Sequence, residues 1–282
     1  MKRIMLSTAL AMAIAMPAAA KDKPPVFVET ASIPDKPVFA FNPAKAYVLL
    51  RTEVATPLLL MKVPTAEDQS VYDKLRAGAL DEARRKYAKK LASYNQSVAL
   101  ATKTSGMRVP EKPVEPTEAN FEFTPFGMMA SVSVGPMYRF AKSKASSTYL
   151  QELTPGTYRV YGTLVAVPGA AAAGSCYCMG SVAFDVKAGE ITDLGVIMAG
   201  EPFVRVSGDS SAPVDLSGQK LFQAAPAGMA IDPRIAGQTI TAARYKPVGK
   251  LPNYFGVTIT RMPEMPGIFR YDRDKIVDLT GQ

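Results

Sequence analysis

The chain's only two cysteines, Cys176 and Cys178, stand one residue apart in the run Gly174-Ser175-Cys176-Tyr177-Cys178-Met179-Gly180. On a strand, residues two apart share a face, so both thiols point the same way. Three chemistries fit that placement. A disulfide would span a Cα separation of about 6.6 Å. That is near the upper limit of normal geometry, so the bridge would be strained and easily reduced, as a working redox pair requires. Two soft thiolates beside Met179 also suit Cu(I), although on a regular strand Met179 faces the opposite side. The simplest expectation is a structural role, as small buried hydrophobes or as a local disulfide formed in an oxidising compartment. Without histidine the pair makes a poor zinc site.

Histidine and tryptophan are both absent. That removes Ser-His-Asp and Cys-His catalysis together with His-ligated zinc and haem. Glycine-rich phosphate loops, nucleophile elbows and calcium loops are absent as well. Carboxylates occur in pairs, such as Glu111 with Glu115 and Glu122 with Asp185, but nothing in the sequence sets a pair at hydrolase separation. Tyr271-Asp272-Arg273-Asp274 reads as a surface ion pair. Arg84-Arg85-Lys86 with Lys89-Lys90 forms a basic cluster that suits anionic lipid or polysaccharide. Asp81 and Glu82 just before it make a solvated face the simpler reading.

The elements that must position these residues divide the chain. Residues 21–64 are Pro-rich at first and then hold two short apolar runs bounded by proline, Tyr47–Arg51 and Pro57–Met61, which predict strands. Val26–Thr30 is a candidate edge strand. Residues 65–104 predict one long inserted helix, or a helical hairpin bent at Gly78. Thr65 and Asp68 form a capping box, Glu67 and Asp68 favour the first turn, and Val71, Leu75, Ala79, Ala83, Tyr87, Leu91, Tyr94 and Val98 trace one thin apolar stripe. Such a helix is about 50 Å long, so it either projects or folds back. Residues 105–120, with Pro110, Pro113 and Pro116, form a stiff connector.

From Phe121 to about residue 200 the hydrophobic period returns to two. Phe121–Phe123, Met129–Val134 and Tyr138–Phe140 are strand candidates. Gly156–Val167, Cys176–Lys187 and Ile191–Met198 follow as stronger ones. Short strands at this spacing predict a mainly β fold, a sandwich with an inserted helix. Residues 201–282 read as an irregular C-terminal arm with a few strands, the best being Phe255–Ile259 and Ile268–Tyr271.

Leu153-Thr154-Pro155-Gly156-Thr157-Tyr158-Arg159-Val160 resembles a recurrent element of prealbumin-like sandwiches, such as the regulatory domains beside carboxypeptidases and the repeats of bacterial adhesins. Pro155 and Gly156 suit the centre of a type II turn, and Tyr158 can bury its ring and bond its hydroxyl to nearby backbone. Val182–Ile191 looks like that family's next hairpin. The resemblance covers about Thr148–Met198 and implies a prealbumin-like or immunoglobulin-like β-sandwich. Folds of this kind host adhesion, scaffolding and carrier roles. The chain also resembles uncharacterised exported bacterial proteins sharing this hairpin.

Residues 1–20 read as a secretory signal peptide. Lys2 and Arg3 precede the apolar run Ile4–Met16, and Pro17 and Ala18-Ala19-Ala20 supply a cleavage site. Cleavage takes the net charge from +8 to +6. No other stretch is long enough to span a membrane. Export makes nucleic acid an unsuitable partner and an envelope protein or polysaccharide a suitable one. The expectation is a periplasmic or secreted, non-catalytic binding or scaffolding protein with no required cofactor. A thiol-redox or copper handler using Cys176 and Cys178, and an enzyme independent of histidine, are the alternatives.

Overall fold

A computed structural model describes residues 25–53, 57–104, 106–143, 146–165, 173–175, 179–199, 220–223, 229–256, 264–265, 267–273 and 275–281. Strands β1 (Thr30–Ile33), β2 (Ala46–Thr52) and β3 (Leu58–Lys62) precede the long helix α1 (Ala66–Ala101). A short helix α2 (Phe126–Met129) leads into β4 (Ser131–Val134), β5 (Ala141–Lys142), β6 (Ser147–Leu153), β7 (Gly156–Val165), β8 (Ala173–Ser175), β9 (Val182–Val186) and β10 (Ile191–Ala199). The later strands are β11 (Lys220–Gln223), β12 (Ile240–Ala242), β13 (Lys246–Pro247), β14 (Glu264–Met265), β15 (Phe269–Asp272) and β16 (Lys275–Asp278). Among the described residues the protein is therefore mainly β, with three sheets and one long helix.

The first sheet runs β1-β6-β2-β10-β11, with β5 alongside β6 and β12 alongside β10. β2 pairs antiparallel with β6 along its whole length, from Ala46 opposite Leu153 to Thr52 opposite Ser147. Its other edge pairs parallel with β10. The second sheet runs β13-β9-β7-β3-β4, with β8 on β7, and the third is the small meander β14-β15-β16.

The apolar runs of β2 and β3 do not alternate, and every residue of both strands is buried. The reason is that each sheet is covered on two faces. Val48 and Leu50 of the first sheet meet Leu60, Tyr158, Val160 and Phe184 of the second in one central cluster, an arrangement compatible with a β-sandwich. The opposite face of the first sheet, with Tyr47, Leu49, Leu150 and Ile191, is covered by Phe39, Phe41, Phe140 and Ile235. The opposite face of the second, with Leu59, Met61 and Tyr161, is covered by Met179, Leu251, Tyr254 and Phe255. Chain segments outside the strands thus complete the core.

The cover over the second sheet depends on Gly180. Its φ is +70°, and a Cβ there would meet the Leu251 side chain at 2.5 Å. The Gly180 carbonyl accepts from Arg159 Nε at 2.6 Å, and the Leu251 amide bonds the Met179 carbonyl. The ion pairs of Lys62 with Asp68 and of Arg51 with Asp193 are largely buried. Arg51, within β2, donates through Nη1 to both Asp193 oxygens at 2.7 and 2.9 Å.

α1 is a single unbroken helix of 36 residues rather than a hairpin. Thr65 Oγ1 accepts from the Asp68 amide at 3.1 Å, and Asp68 Oδ2 accepts from the Thr65 amide at 3.0 Å, completing the capping box. Val71, Tyr72 and Leu75 pack against the central cluster beside Phe126 and Met129. Gly78 does not interrupt the helix, and nothing lies within 4 Å of where its Cβ would be.

Several elements differ from the sequence expectation. Thr30, not Val26, opens the first strand, because Phe27 and Val28 are drawn into the core. Phe121–Phe123 and Tyr138–Phe140 are not strands. Phe123 instead meets Tyr72 of the helix, and Phe140 serves the outer cover of the first sheet. The expected strand Cys176–Lys187 is not continuous: Met179 and Gly180 form a turn with positive φ, and β9 begins at Val182. Met129 belongs to α2 rather than to β4. Tyr254–Phe255 form a turn, and residues 257–259 of the expected late strand lie outside the described residues, as do 1–24.

Candidate functional site

The two cysteines, Cys176 and Cys178, lie outside the described residues. Their flanks are anchored: Ser175 sits opposite Thr163 in the β7–β8 ladder, and the Met179 amide bonds the Tyr161 carbonyl. Among the described residues no three His, Cys, Asp or Glu side chains converge as metal ligands.

The motif around Tyr158 is a corner of the core. The Tyr158 ring is fully buried, and its hydroxyl donates to the Thr154 carbonyl at 2.7 Å. Burial pushes the phenol pKa far up. Pro155 sits in a bend, and Gly156 has a φ of +149°. That is well beyond the value near +80° of a type II turn. Gly156 already belongs to the β7 ladder, opposite Val186. Glycine is needed for that backbone, but the turn type differs from the sequence expectation.

The other polar candidates serve structure. Asp185 does not meet Glu122; it accepts from the Thr157 hydroxyl, which holds its carboxyl below the ordinary range, and pairs with Lys246. Tyr271 donates to Ser181 Oγ at 2.8 Å, and Arg273 occupies the turn between β15 and β16 with a φ of 55°. A cleft of about 560 Å³ opens among Pro247, Val248, Gly249, Lys250, Ile276 and Asp278. Its charged groups are engaged: the Lys250 ammonium sits 4.8 Å from the Tyr271 ring centre, and Asp278 accepts the Thr280 hydroxyl and amide.

A different surface stands out when the helix is followed outward. Its first three turns are tied to the body. Lys62 pairs with Asp68, Tyr72 donates to the Thr124 carbonyl at 3.0 Å, and Arg76 pairs with Glu118 while donating to the Glu118 carbonyl at 3.0 Å. From Asp81 onward the ion pairs are internal to the helix, Arg84 with Asp81 and Lys86 with Glu82. From Arg76 to Ala101 the helix rises about 38 Å. The Arg76–Glu118 pair therefore requires the Pro-rich connector to retrace that distance. The 17 residues from Thr102 to Glu118 can do so, since an extended Pro-rich chain spans about 3.1 Å per residue. Helix and connector form a two-legged prong.

The prong is basic and bears apolar groups at its end. Residues 83–112 hold eight of the chain's 33 basic residues and one of its 25 acidic ones. The remainder carries 25 against 24, so almost the whole net charge lies in residues 83–112, the outer part of the prong. Arg84, Arg85, Lys86, Lys89 and Lys90 are all exposed, as are Lys103, Arg108 and Lys112. Leu100 is 54% exposed, Met107 44% and Val109 46%, all near the tip. The half-buried side chains Ala83, Tyr87, Leu91, Tyr94 and Val98 form the opposite stripe.

Sequence reading found the cluster at Arg84–Lys90 but not its continuation through Lys103, Arg108 and Lys112, nor the apolar tip. A charge count over residues 83–112 would have found the first. The second required knowing that the helix projects.

Compared with protein-family models, curated proteins and solved structures, the chain matches none. The class that can be stated is a mainly β protein with, among the described residues, three sheets and one long helix, in which no described helix is long and apolar enough to cross a membrane.

Proposed function

We propose that this chain is an exported cell-envelope protein that binds or scaffolds a partner, with its β body as the support and the helix–connector prong as the contact element. The observation that carries the reading is the prong itself. Among the described residues, the ion pairs and hydrogen bonds that tie this 36-residue helix to the body lie in its first three turns, with Leu80 buried just beyond them, and its outer part gathers the charge of the chain. An unsupported, charged helix adds little to the stability of the body. Extended elements of this kind offer contact area rather than an enclosed pocket. The N-terminal leader pattern supports export, and the prealbumin-like sequence element supports a scaffolding fold.

Site-specific photo-crosslinking in cells tests this. A photoreactive residue at Lys89, Ser93 or Lys103 is expected to give adducts, while one at Lys187 on the body gives none. The same adducts are expected from a Cys176→Ser/Cys178→Ser double variant. Adducts from Lys187 alone, or their loss in a folded double variant, would contradict the reading.

A further inference from the structure

We infer that the tip of the prong docks on the surface of an anionic phospholipid bilayer, a conclusion that rests on the prong being the contact element. Two independent features meet there. One is charge: Lys103, Arg108 and Lys112 lie beyond the end of α1, with Arg85 and Lys89 further down the helix. The other is apolar exposure. Leu100, Met107 and Val109 stand open to solvent among those basic residues. A surface built only for a polyanionic glycan or an acidic protein gains nothing from open apolar side chains at its extremity. A bilayer interface uses both. It takes apolar groups into the headgroup and acyl boundary and holds the flanking cations at the anionic surface.

The geometry favours end-on docking. Beyond the helix the Lys103 amide bonds the Leu100 carbonyl and the Met107 amide bonds the Thr104 carbonyl, which keeps Leu100, Lys103 and Met107 at one end. Lys89 and Lys90 lie about 17 Å back along the axis. That is beyond the screening length of about 8 Å at physiological ionic strength. They steer the approach at low salt, as does Lys112 on the returning connector, whereas Lys103 and Arg108 act in the docked state. Helical spacing puts Arg85, Lys89 and Leu100 on the face opposite the half-buried stripe, so the apolar tip and the steering charges share one exposed side. Neither the helix nor the connector needs to cross the bilayer.

Vesicle co-flotation with the full chain tests this, every variant carrying the same N-terminus. Vesicles of phosphatidylcholine alone are compared with vesicles of phosphatidylcholine and phosphatidylglycerol. Binding is expected to the anionic vesicles and to weaken as salt is raised. Each basic residue at a membrane surface strengthens partitioning about fivefold, so a Lys103→Gln/Arg108→Gln variant is expected to bind about 25-fold more weakly. A Leu100→Ser/Met107→Ser/Val109→Ser variant is expected to lose at least about tenfold at unchanged charge. All five positions are exposed, and an unchanged circular dichroism spectrum and urea midpoint confirm that folding is intact. Equal binding to both vesicle types, or variants that float like the parent, overturns the inference. So does retention on heparin by parent and apolar variant alike without vesicle binding, which assigns the prong to an anionic glycan. If vesicle binding fails while prong positions still crosslink to a protein in cells, the docking inference falls and the contact role of the prong stands.

Discussion

Arg234 shows how single side chains hold the covers of this molecule in place. Its guanidinium donates to Asp232 and Asp35 and to the carbonyls of Lys36 and Phe140, and it lies 4.0 Å from the centre of the Phe140 ring. These partners come from three separate segments, all flanking the aromatic cover of the first sheet. Lysine cannot reproduce that planar fork. Arg234→Ala is expected to lower unfolding free energy by about 2–4 kcal/mol, with Arg234→Lys recovering only part, as read from urea midpoints. Tyr47 lies under the same cover. Its hydroxyl donates to Glu152 at 2.9 Å and accepts from the Asn42 amide at 3.0 Å, and burial pushes its pKa up to about 12. The unfolded phenol titrates near pH 10. The folded protein therefore holds this proton more tightly, and the contribution is complete below about pH 10 and drains away as pH rises toward about 12. Tyr158 shifts in the same direction. Urea titrations at neutral and alkaline pH are expected to show stability falling in that window, and Tyr47→Phe to flatten part of the fall. An unchanged alkaline limb in Tyr47→Phe would show that Tyr47 does not titrate as described.

The helix was legible in the sequence because its determinants are local. Thr65 and Asp68 mark its start, the apolar stripe its length, and its range Ala66–Ala101 follows. Asp68 illustrates the balance at that end: burial would raise its pKa, but hydrogen bonds from Lys62 and Thr65 hold the carboxyl below the ordinary range. Thr65→Ala is expected to cost about 1 kcal/mol of local helix stability. Hydrogen exchange should then lose protection in the first turn and keep it beyond Leu80. Strands β2, β3, β7 and β10 were legible as well, from apolar runs between breakers. What covers their outer faces was not. Phe39 meets Tyr47 and Phe140, and Ile235 joins them from far along the chain. The non-alternating run Tyr47-Val48-Leu49-Leu50 says that both faces are buried, without saying by what. The prong was half legible for the same reason. Arg84–Lys90 reads as a basic cluster from spacing alone, whereas the return of the connector follows from the Arg76–Glu118 pair, 42 residues apart.

At the scale of the whole molecule, two parts carry different loads. The sheets, their covers and the first turns of α1 form a body whose charges nearly balance, and the prong carries the excess. A balanced body with a cationic projection concentrates the long-range field at one end, where an anionic partner is captured and oriented. This separation makes the contact role testable by removal. Residues 83–112 replaced by a short Gly/Ser linker leave the Arg76–Glu118 tie and the core packing of Val71, Tyr72 and Leu75 in place. The most direct measurement is cell fractionation of that shortened protein beside the parent, with its urea unfolding as control. The expected result is cooperative unfolding near the parent midpoint together with loss of envelope association. A folded, shortened protein that still fractionates with the envelope would contradict the assignment of the prong as the contact element, and a body that cannot fold without residues 83–112 would contradict the division of roles itself.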